Sequence, residues 1–375
     1  MCTERRARWA PIPDIRASYA FINTRDMNKK KYVTFITISI ATAVILFSSI
    51  LAYVFASGSQ HELTSLQIRG LISSIRDYHF SQYPDFNELY FSGGKGYEFR
   101  NNTSDRLIIY LGGFGWGSAT EAKWSNKLID VFLAVKELTD RYTFFVPEKF
   151  EREIGVLYGL DTEERHRYTI GNLLDNYYKV ISEYLSQNNY ESIIIYGASE
   201  GAFILPLLYT RLNNHNIKAL VSDSGGGGLA YFEQQQVLLA KLLKNEKSFS
   251  SLSLSKEDRT NLQYYYETWI QAFQTQAYSD SIDFFLNSPM TYKWFDSIVQ
   301  LRLFEYYERI SIPILFIHGN LDTDVPVETT QYIENNLPFK PFDFCYYPEM
   351  THNQIKQQEY LPQNDIIKWI SKINP

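Results

Sequence analysis

Six short runs, RLIIYL, YTFFVP, SIIIYG, IKALV, IPILFI and FDFCYY, are apolar at nearly every position rather than at every second one. A strand with one wet face alternates polar and apolar residues, so strands that are apolar throughout are buried on both faces. Helical patterns separate most of these runs, at residues 125–138, 164–186, 200–212, 328–335 and 365–373. Strands buried on both faces and alternating with helices predict an α/β fold, a mostly parallel sheet with helices on both faces.

Upstream, NELYFS and GYEFRN flank Gly93-Gly94-Lys95 and read as a hairpin. The lysine there is not followed by Ser or Thr and a helix, which argues against a phosphate loop. Between Gly225 and Glu308 the alternation gives way to helical patterns such as SKEDRTNLQYYYETWIQAF, in which Ser255 and Asp258 form an approximate capping box. Because the sheet resumes afterwards, this insertion of about 80 residues is expected to be a helical cap over residues 226–308 rather than a separate domain. No internal repeat is present.

The third run ends in a sharp corner. Gly197-Ala198-Ser199-Glu200-Gly201 fits G-x-S-x-G, placed between a buried strand and the start of a helix. Glycine is needed on either side because such a turn crowds the backbone, and the serine is lifted out at the carboxyl edge of the sheet. Two further residues follow later strands: Asp322 in FIHGNLDTDVP and His352 in YYPEMTHN. A serine hydroxyl needs a base, an imidazole titrating near neutrality suits that task, and a carboxylate on its other nitrogen would hold the tautomer.

With these three elements in the order Ser, Asp, His, the sequence from about residue 88 to the end resembles the α/β-hydrolases, and within them capped hydrolases of the esterase and serine aminopeptidase type. The resemblance implies Ser199 as nucleophile, His352 as base and Asp322 as acid. Asp324 is the rival for the last role, and the usual spacing from the glycine of the HG turn favours Asp322. It also implies an oxyanion hole built from the backbone N–H of Glu200 and a second N–H from the turn after LIIYLGG, that of Phe114 or of Gly113. Gly112-Gly113 stands where the family has His-Gly. The expected function is a serine hydrolase cleaving an ester, thioester or peptide bond through an acyl-enzyme, with no cofactor and no metal. Acyl transfer with the same three residues, or a catalytically silent binding protein on the same fold, are the alternatives.

The N-terminus carries a separate signal. Residues 32–56, YVTFITISIATAVILFSSILAYVFA, hold no charge. As a helix they would be about 37 Å long, enough for a hydrocarbon core of ~30 Å. Before them stand eight basic residues against three acids, a surplus of five positive charges, while the chain total is −6, so the remainder carries −11. The basic flank predicts residues 1–31 as a cytoplasmic tail, 32–56 as a single-pass signal anchor, and 57–375 as an extracytoplasmic catalytic domain. Secretion after cleavage near Ala56 is the alternative, although the apolar segment is long for a signal peptide. Met27, followed by Asn28 and three lysines, reads as another start for this segment.

An acidic domain without a basic patch is a poor partner for nucleic acid. Two cysteines, Cys2 and Cys345, provide neither a disulfide framework nor a zinc-ligand spacing. His318 reads as a structural hydrogen-bonder beneath the HG turn; His61, His79, His166 and His215 have no partner pattern. Tyr264, Tyr265, Tyr266, Trp269 and Phe273 in the insertion read as packing residues, and Gly225 to Gly228 as a flexible exit from a strand.

Overall fold

The apolar runs form the strands that their pattern predicts. The computed structural model describes residues 86–101, 103–113, 138, 140–149, 169–212, 215–250, 254–275, 292–299, 301–352 and 362–373. Among them the strands are β1 (Phe86–Phe91), β2 (Gly94–Phe99), β3 (Arg106–Leu111), β4 (Thr143–Pro147), β5 (Ser192–Ala198), β6 (Ile217–Asp223), β7 (Ile314–Gly319) and β8 (Phe342–Tyr347). They make one sheet in the order β1-β2-β4-β3-β5-β6-β7-β8. The hairpin β1–β2 is antiparallel and turns through Ser92-Gly93, and β2 pairs antiparallel with β4. From β4 to β8 every pairing is parallel. All six of those strands therefore end at one edge of the sheet, where ligands bind in folds of this class.

The helices are α1 (Ile170–Gln187), α2 (Glu200–Arg211), α3 (Tyr231–Leu243), α4 (Lys247–Ser250), α5 (Lys256–Thr275), α6 (Tyr292–Val299), α7 (Leu303–Tyr307), α8 (Glu328–Asn336) and α9 (Gln363–Ile373). The period of two in the strands sorts their side chains between two cores. Leu107, Ile109, Leu111, Ile193 and Ile195 join one core, with Leu173, Tyr177, Ile181 and Tyr184 of α1 and Ile204 and Leu208 of α2. Ile108, Tyr110, Ile194 and Tyr196 join the other, with Ile366, Trp369 and Ile370 of α9. Burial of one such Leu, Ile or Phe side chain contributes about 2 kcal/mol, so continuous apolar strands are stable only when both faces are covered.

Helix α1 follows the expected spacing of three and four, and its first turn is closed by Thr169, whose hydroxyl accepts from the Asn172 N–H at 3.2 Å. The predicted start of this helix, residues 164–168, and the predicted helix 125–138 fall wholly or mainly outside the described residues. Helices α3 to α7 fill the interval between β6 and β7, which lie side by side in the sheet. Helix α5 begins with the reciprocal pair read in the sequence: the Asp258 N–H donates to Ser255 Oγ at 3.1 Å and the Ser255 N–H to Asp258 Oδ2 at 3.2 Å.

No helix among the described residues is long and apolar enough to cross a membrane. The basic tail 1–31 and the expected span 32–56 lie outside the described residues.

Candidate active site

Strand β5 runs directly into α2 at Ser199, which takes φ 52° and ψ −114°, a left-handed backbone that few residues other than glycine adopt. The corner is held from both sides: the Ser199 N–H donates to the Asp223 carbonyl at 2.8 Å, and the Ser199 carbonyl accepts from the Phe203 N–H at 2.8 Å. The flanking glycines are needed for space. A Cβ on Gly197 would lie 2.5 Å from the Gly201 carbonyl oxygen, and one on Gly201 would lie 2.2 Å from the Leu111 carbonyl oxygen. Strain at one residue, over-determined by its neighbours, aims the Ser199 hydroxyl outward at the carboxyl edge.

Asp322 leaves β7 and His352 leaves β8 at the same edge. The two loops are locked together: Gly319 packs so closely that a Cβ there would meet the Met350 carbonyl oxygen at 2.1 Å, and the Leu321 N–H donates to that carbonyl at 2.9 Å. The three side chains lie in one hydrogen-bonded line. Ser199 Oγ is 2.9 Å from His352 Nε2, and His352 Nδ1 is 2.8 Å from Asp322 Oδ2. A carboxylate accepts only, so Nδ1 carries the proton, and Nε2 of the neutral ring is left as an acceptor for the serine hydroxyl.

The Asp322 carboxylate is fully satisfied. Its Oδ1 accepts from the N–H groups of Asp324 at 2.9 Å and Val325 at 2.8 Å. His318 is buried beneath it: Nε2 donates to the Val325 carbonyl at 2.9 Å, Nδ1 accepts from the Thr330 hydroxyl at 2.8 Å, and Nε2 is also 3.5 Å from Asp322 Oδ2. Asp324 contributes its backbone to this turn and leaves its own carboxylate exposed.

Burial opposes a charge on Asp322, but the charge of His352 and the hydrogen bonds from His318 and His352 outweigh it and hold the carboxyl well below the usual carboxylate range. Burial also pushes the His352 imidazole down. The adjoining Asp322 carboxylate more than reverses this, with Asp324 and Asp223 acting in the same direction, and raises it from 6.5 to about 9.

Of the expected oxyanion donors, Glu200 opens α2 next to Ser199, and Gly113 lies against the nucleophile, where a Cβ would be 3.2 Å from Ser199 Cβ. Phe114 lies outside the described residues. His215 sits in a turn away from these groups, and His61, His79 and His166 are outside the described residues. Among the described residues no three His, Cys, Asp or Glu side chains converge as metal ligands.

Above Ser199 and His352 opens a pocket of about 380 Å3, roofed by α3, α5 and α6. Tyr231, Tyr265, Tyr266 and Trp294 line it with Gln234 and Gln235, and Asp324 stands on its lining as well. Tyr266 also ties the roof to the acid-bearing loop, its hydroxyl donating to the Thr323 carbonyl at 3.3 Å. Tyr265 and Tyr266, read from the sequence as packing residues, thus face the site, while Tyr264 is exposed. Helical periodicity cannot say which buried face of a helix covers a cavity and which covers a core. Gly225 borders the pocket too; Gly226 and Gly227 have φ of 66° and 100°, so this exit from β6 requires glycine.

No protein-family model and no curated protein sequence matches the chain. Solved structures do. Est1E from Butyrivibrio proteoclasticus is 14% identical, with a TM-score of 0.50 over 77% of this chain and 98% of its own. The same protein with ferulic acid bound gives 15% identity and a TM-score of 0.51 over 76% of this chain and 98% of its own. A membrane phospholipase A described as a novel bacterial virulence factor is 14% identical, with a TM-score of 0.50 over 89% of this chain and 100% of its own. At such identities the likeness speaks for architecture, and it agrees with the strand order and the strained serine corner: the chain has the α/β-hydrolase fold.

Proposed function

We propose that the protein is a serine hydrolase that cleaves an ester, thioester or peptide bond through an acyl-enzyme on Ser199. The observation that carries this reading is the line Ser199 Oγ to His352 Nε2 to Asp322, at 2.9 and 2.8 Å, opening into a pocket. The similar solved structures include a membrane phospholipase A, which supports hydrolysis of an acyl bond.

In the proposed reaction the Ser199 hydroxyl passes its proton to His352 Nε2 as Oγ bonds to the substrate carbonyl carbon. The carbonyl π pair moves to oxygen, where the Glu200 N–H and an N–H from the turn at Gly113 or Phe114 stabilise it. Asp322 holds the imidazole in the tautomer that accepts and offsets the imidazolium charge. The tetrahedral species collapses, the leaving group departs with the proton from Nε2, and water repeats the sequence to release the acid and free serine.

The pocket wall narrows the substrate. It is aromatic and amide-lined, and among the described residues its only charged side chains besides His352 are those of Glu200 and Asp324. An uncharged, apolar or aromatic acyl group fits such a wall better than an anionic one.

A fluorophosphonate probe tests the assignment directly. Wild type is expected to label stoichiometrically and Ser199→Ala not at all, with kcat lowered about 10³-fold or more in the folded variant. Equal labelling of the two would remove Ser199 from its role.

We also propose that residues 32–56 anchor the protein in a membrane, with residues 1–31 cytoplasmic. The uncharged length of the segment and its basic flank support this. The protein is expected to stay with membranes through a carbonate wash. A soluble form beginning near Ser57 would instead identify a cleaved signal.

A further inference from the structure

Lys149 has no part in the reaction as written above, yet its side chain is buried against the nucleophile corner. It follows β4 by two residues, and its side chain is only 10% exposed. Its ammonium donates to two groups, the Gly113 carbonyl oxygen at 2.5 Å and Glu200 Oε2 at 2.6 Å. The backbone that carries it is pinned in turn, since Asn176 Nδ2 of α1 donates to the carbonyls of Glu148 at 3.1 Å and Lys149 at 2.8 Å.

Each of the two groups that Lys149 holds belongs to one half of the expected oxyanion hole. Gly113 is the turn after β3, packed against Ser199, and Glu200 is the residue whose N–H follows the nucleophile. A trans peptide is planar, so anchoring the Gly113 carbonyl fixes the peptide plane that follows it. The second effect is electrostatic. The Glu200 side chain is 6% exposed and one residue from Ser199, so an uncompensated carboxylate there would oppose negative charge developing on the substrate oxygen. A lysine at 2.6 Å cancels that field.

We propose that Lys149 is a positioning residue for transition-state stabilisation: it ties the Gly113 turn to the start of α2 and neutralises the Glu200 carboxylate beside the nucleophile. This rests on the serine hydrolase reading and adds to it a buried ion pair whose work is done in the transition state. Such a residue affects kcat and leaves ground-state binding largely intact.

The experiment compares wild type, Lys149→Met and the double variant Lys149→Met/Glu200→Gln. Each is the full chain, with p-nitrophenyl butyrate as substrate, active sites counted by fluorophosphonate run to completion, and folding checked by circular dichroism. Lys149→Met leaves a buried carboxylate without its lysine. It is expected to lose about 100-fold in kcat per labelled site, the size of one lost oxyanion donor, with KM within about twofold. The double variant removes that charge but not the loss of the tie to Gly113. It is expected to recover about tenfold over Lys149→Met while staying below wild type. A wild-type kcat for Lys149→Met, or a double variant no better than the single, would overturn the proposal. Should Lys149→Met fail to fold, the double variant decides alone: a reduced kcat at unchanged KM supports the role, and a wild-type kcat overturns it. Failure of wild type to label at all would instead strike the serine hydrolase reading.

Discussion

Asp322 and His352 meet through Oδ2 and Nδ1 at 2.8 Å, with the carboxylate withdrawn from solvent and the imidazole only 12% exposed. Each stabilises the charged form of the other. For the imidazole this has a kinetic consequence, because the base must be neutral to take the Ser199 proton. A pKa raised from 6.5 to about 9 keeps His352 protonated at neutral pH, so kcat/KM should climb as pH rises and level off only above about 9. The same pair stabilises the fold most fully between the unfolded values of the two groups, 3.8 and 6.5, losing the imidazole's share as pH passes about 9 and the carboxylate's share in strong acid. A pH profile of kcat/KM whose acid limb sits near 6.5 would contradict this coupling.

Replacing the two aspartates separates their roles. Asp322→Asn removes the acceptor that fixes the tautomer and should cost about 10³- to 10⁴-fold in kcat. It should also move the residual acid limb to lower pH, since the main cause raising the imidazole is gone. Asp324 supports Asp322 through its backbone N–H, which an asparagine retains. Asp324→Asn should therefore lose less than about tenfold and shift the limb slightly in the same direction. The reverse ranking of the two variants would reassign the acid.

Much of this arrangement can be read along the chain, and the reason is local. The strands are visible because they are apolar on both faces, and the corner at Ser199 because Gly197 answers a clash with the α2 backbone only four and five residues on. Lys149 is invisible in sequence for the opposite reason. Its contacts with Gly113 and Glu200 depend on the order β4-β3-β5, in which the strand later in the chain lies outside the earlier one. The available signal is position alone, a lysine just past the carboxyl end of a parallel strand. Tyr265, Tyr266 and Trp294 were equally hidden, because the face that α5 and α6 turn to the site is set by tertiary docking and not by their own periodicity.

The crowding at Gly201 is directly measurable. A methyl there would lie 2.2 Å from the Leu111 carbonyl oxygen and 2.7 Å from its carbon, both in the backbone of a central strand that cannot move aside. Gly201→Ala should destabilise the protein by about 2–4 kcal/mol and misplace the serine. Gly112→Ala is the matched control: among the described residues nothing lies within 4 Å of a Cβ at that position, so its cost should stay within about 0.5 kcal/mol. Denaturant unfolding of both variants reads the difference, and equal midpoints would show that β3 yields more easily than its central place implies.

The charge of the pocket makes a final prediction about substrates. Lys149 already faces Glu200, which leaves Asp324 as the exposed carboxylate among the described lining residues, beside the phenols of Tyr265 and Tyr266. Burial pushes both phenols well above the usual tyrosine range, so they remain neutral at any working pH and give an incoming anion no counter-charge. Asp324 contributes to both shifts, which places its field inside the pocket and not only in bulk water. An aryl ester with a neutral acyl chain should be turned over at least about tenfold better, in kcat/KM, than one of equal length ending in a carboxylate. Asp324→Asn should narrow that ratio by raising the rate on the anionic ester, and added salt should narrow it in wild type, since the carboxylate is partly solvated. A ratio near one in wild type, or one unchanged by the Asp324 replacement, would mean that the acyl chain leaves the site by a route that does not pass this carboxylate.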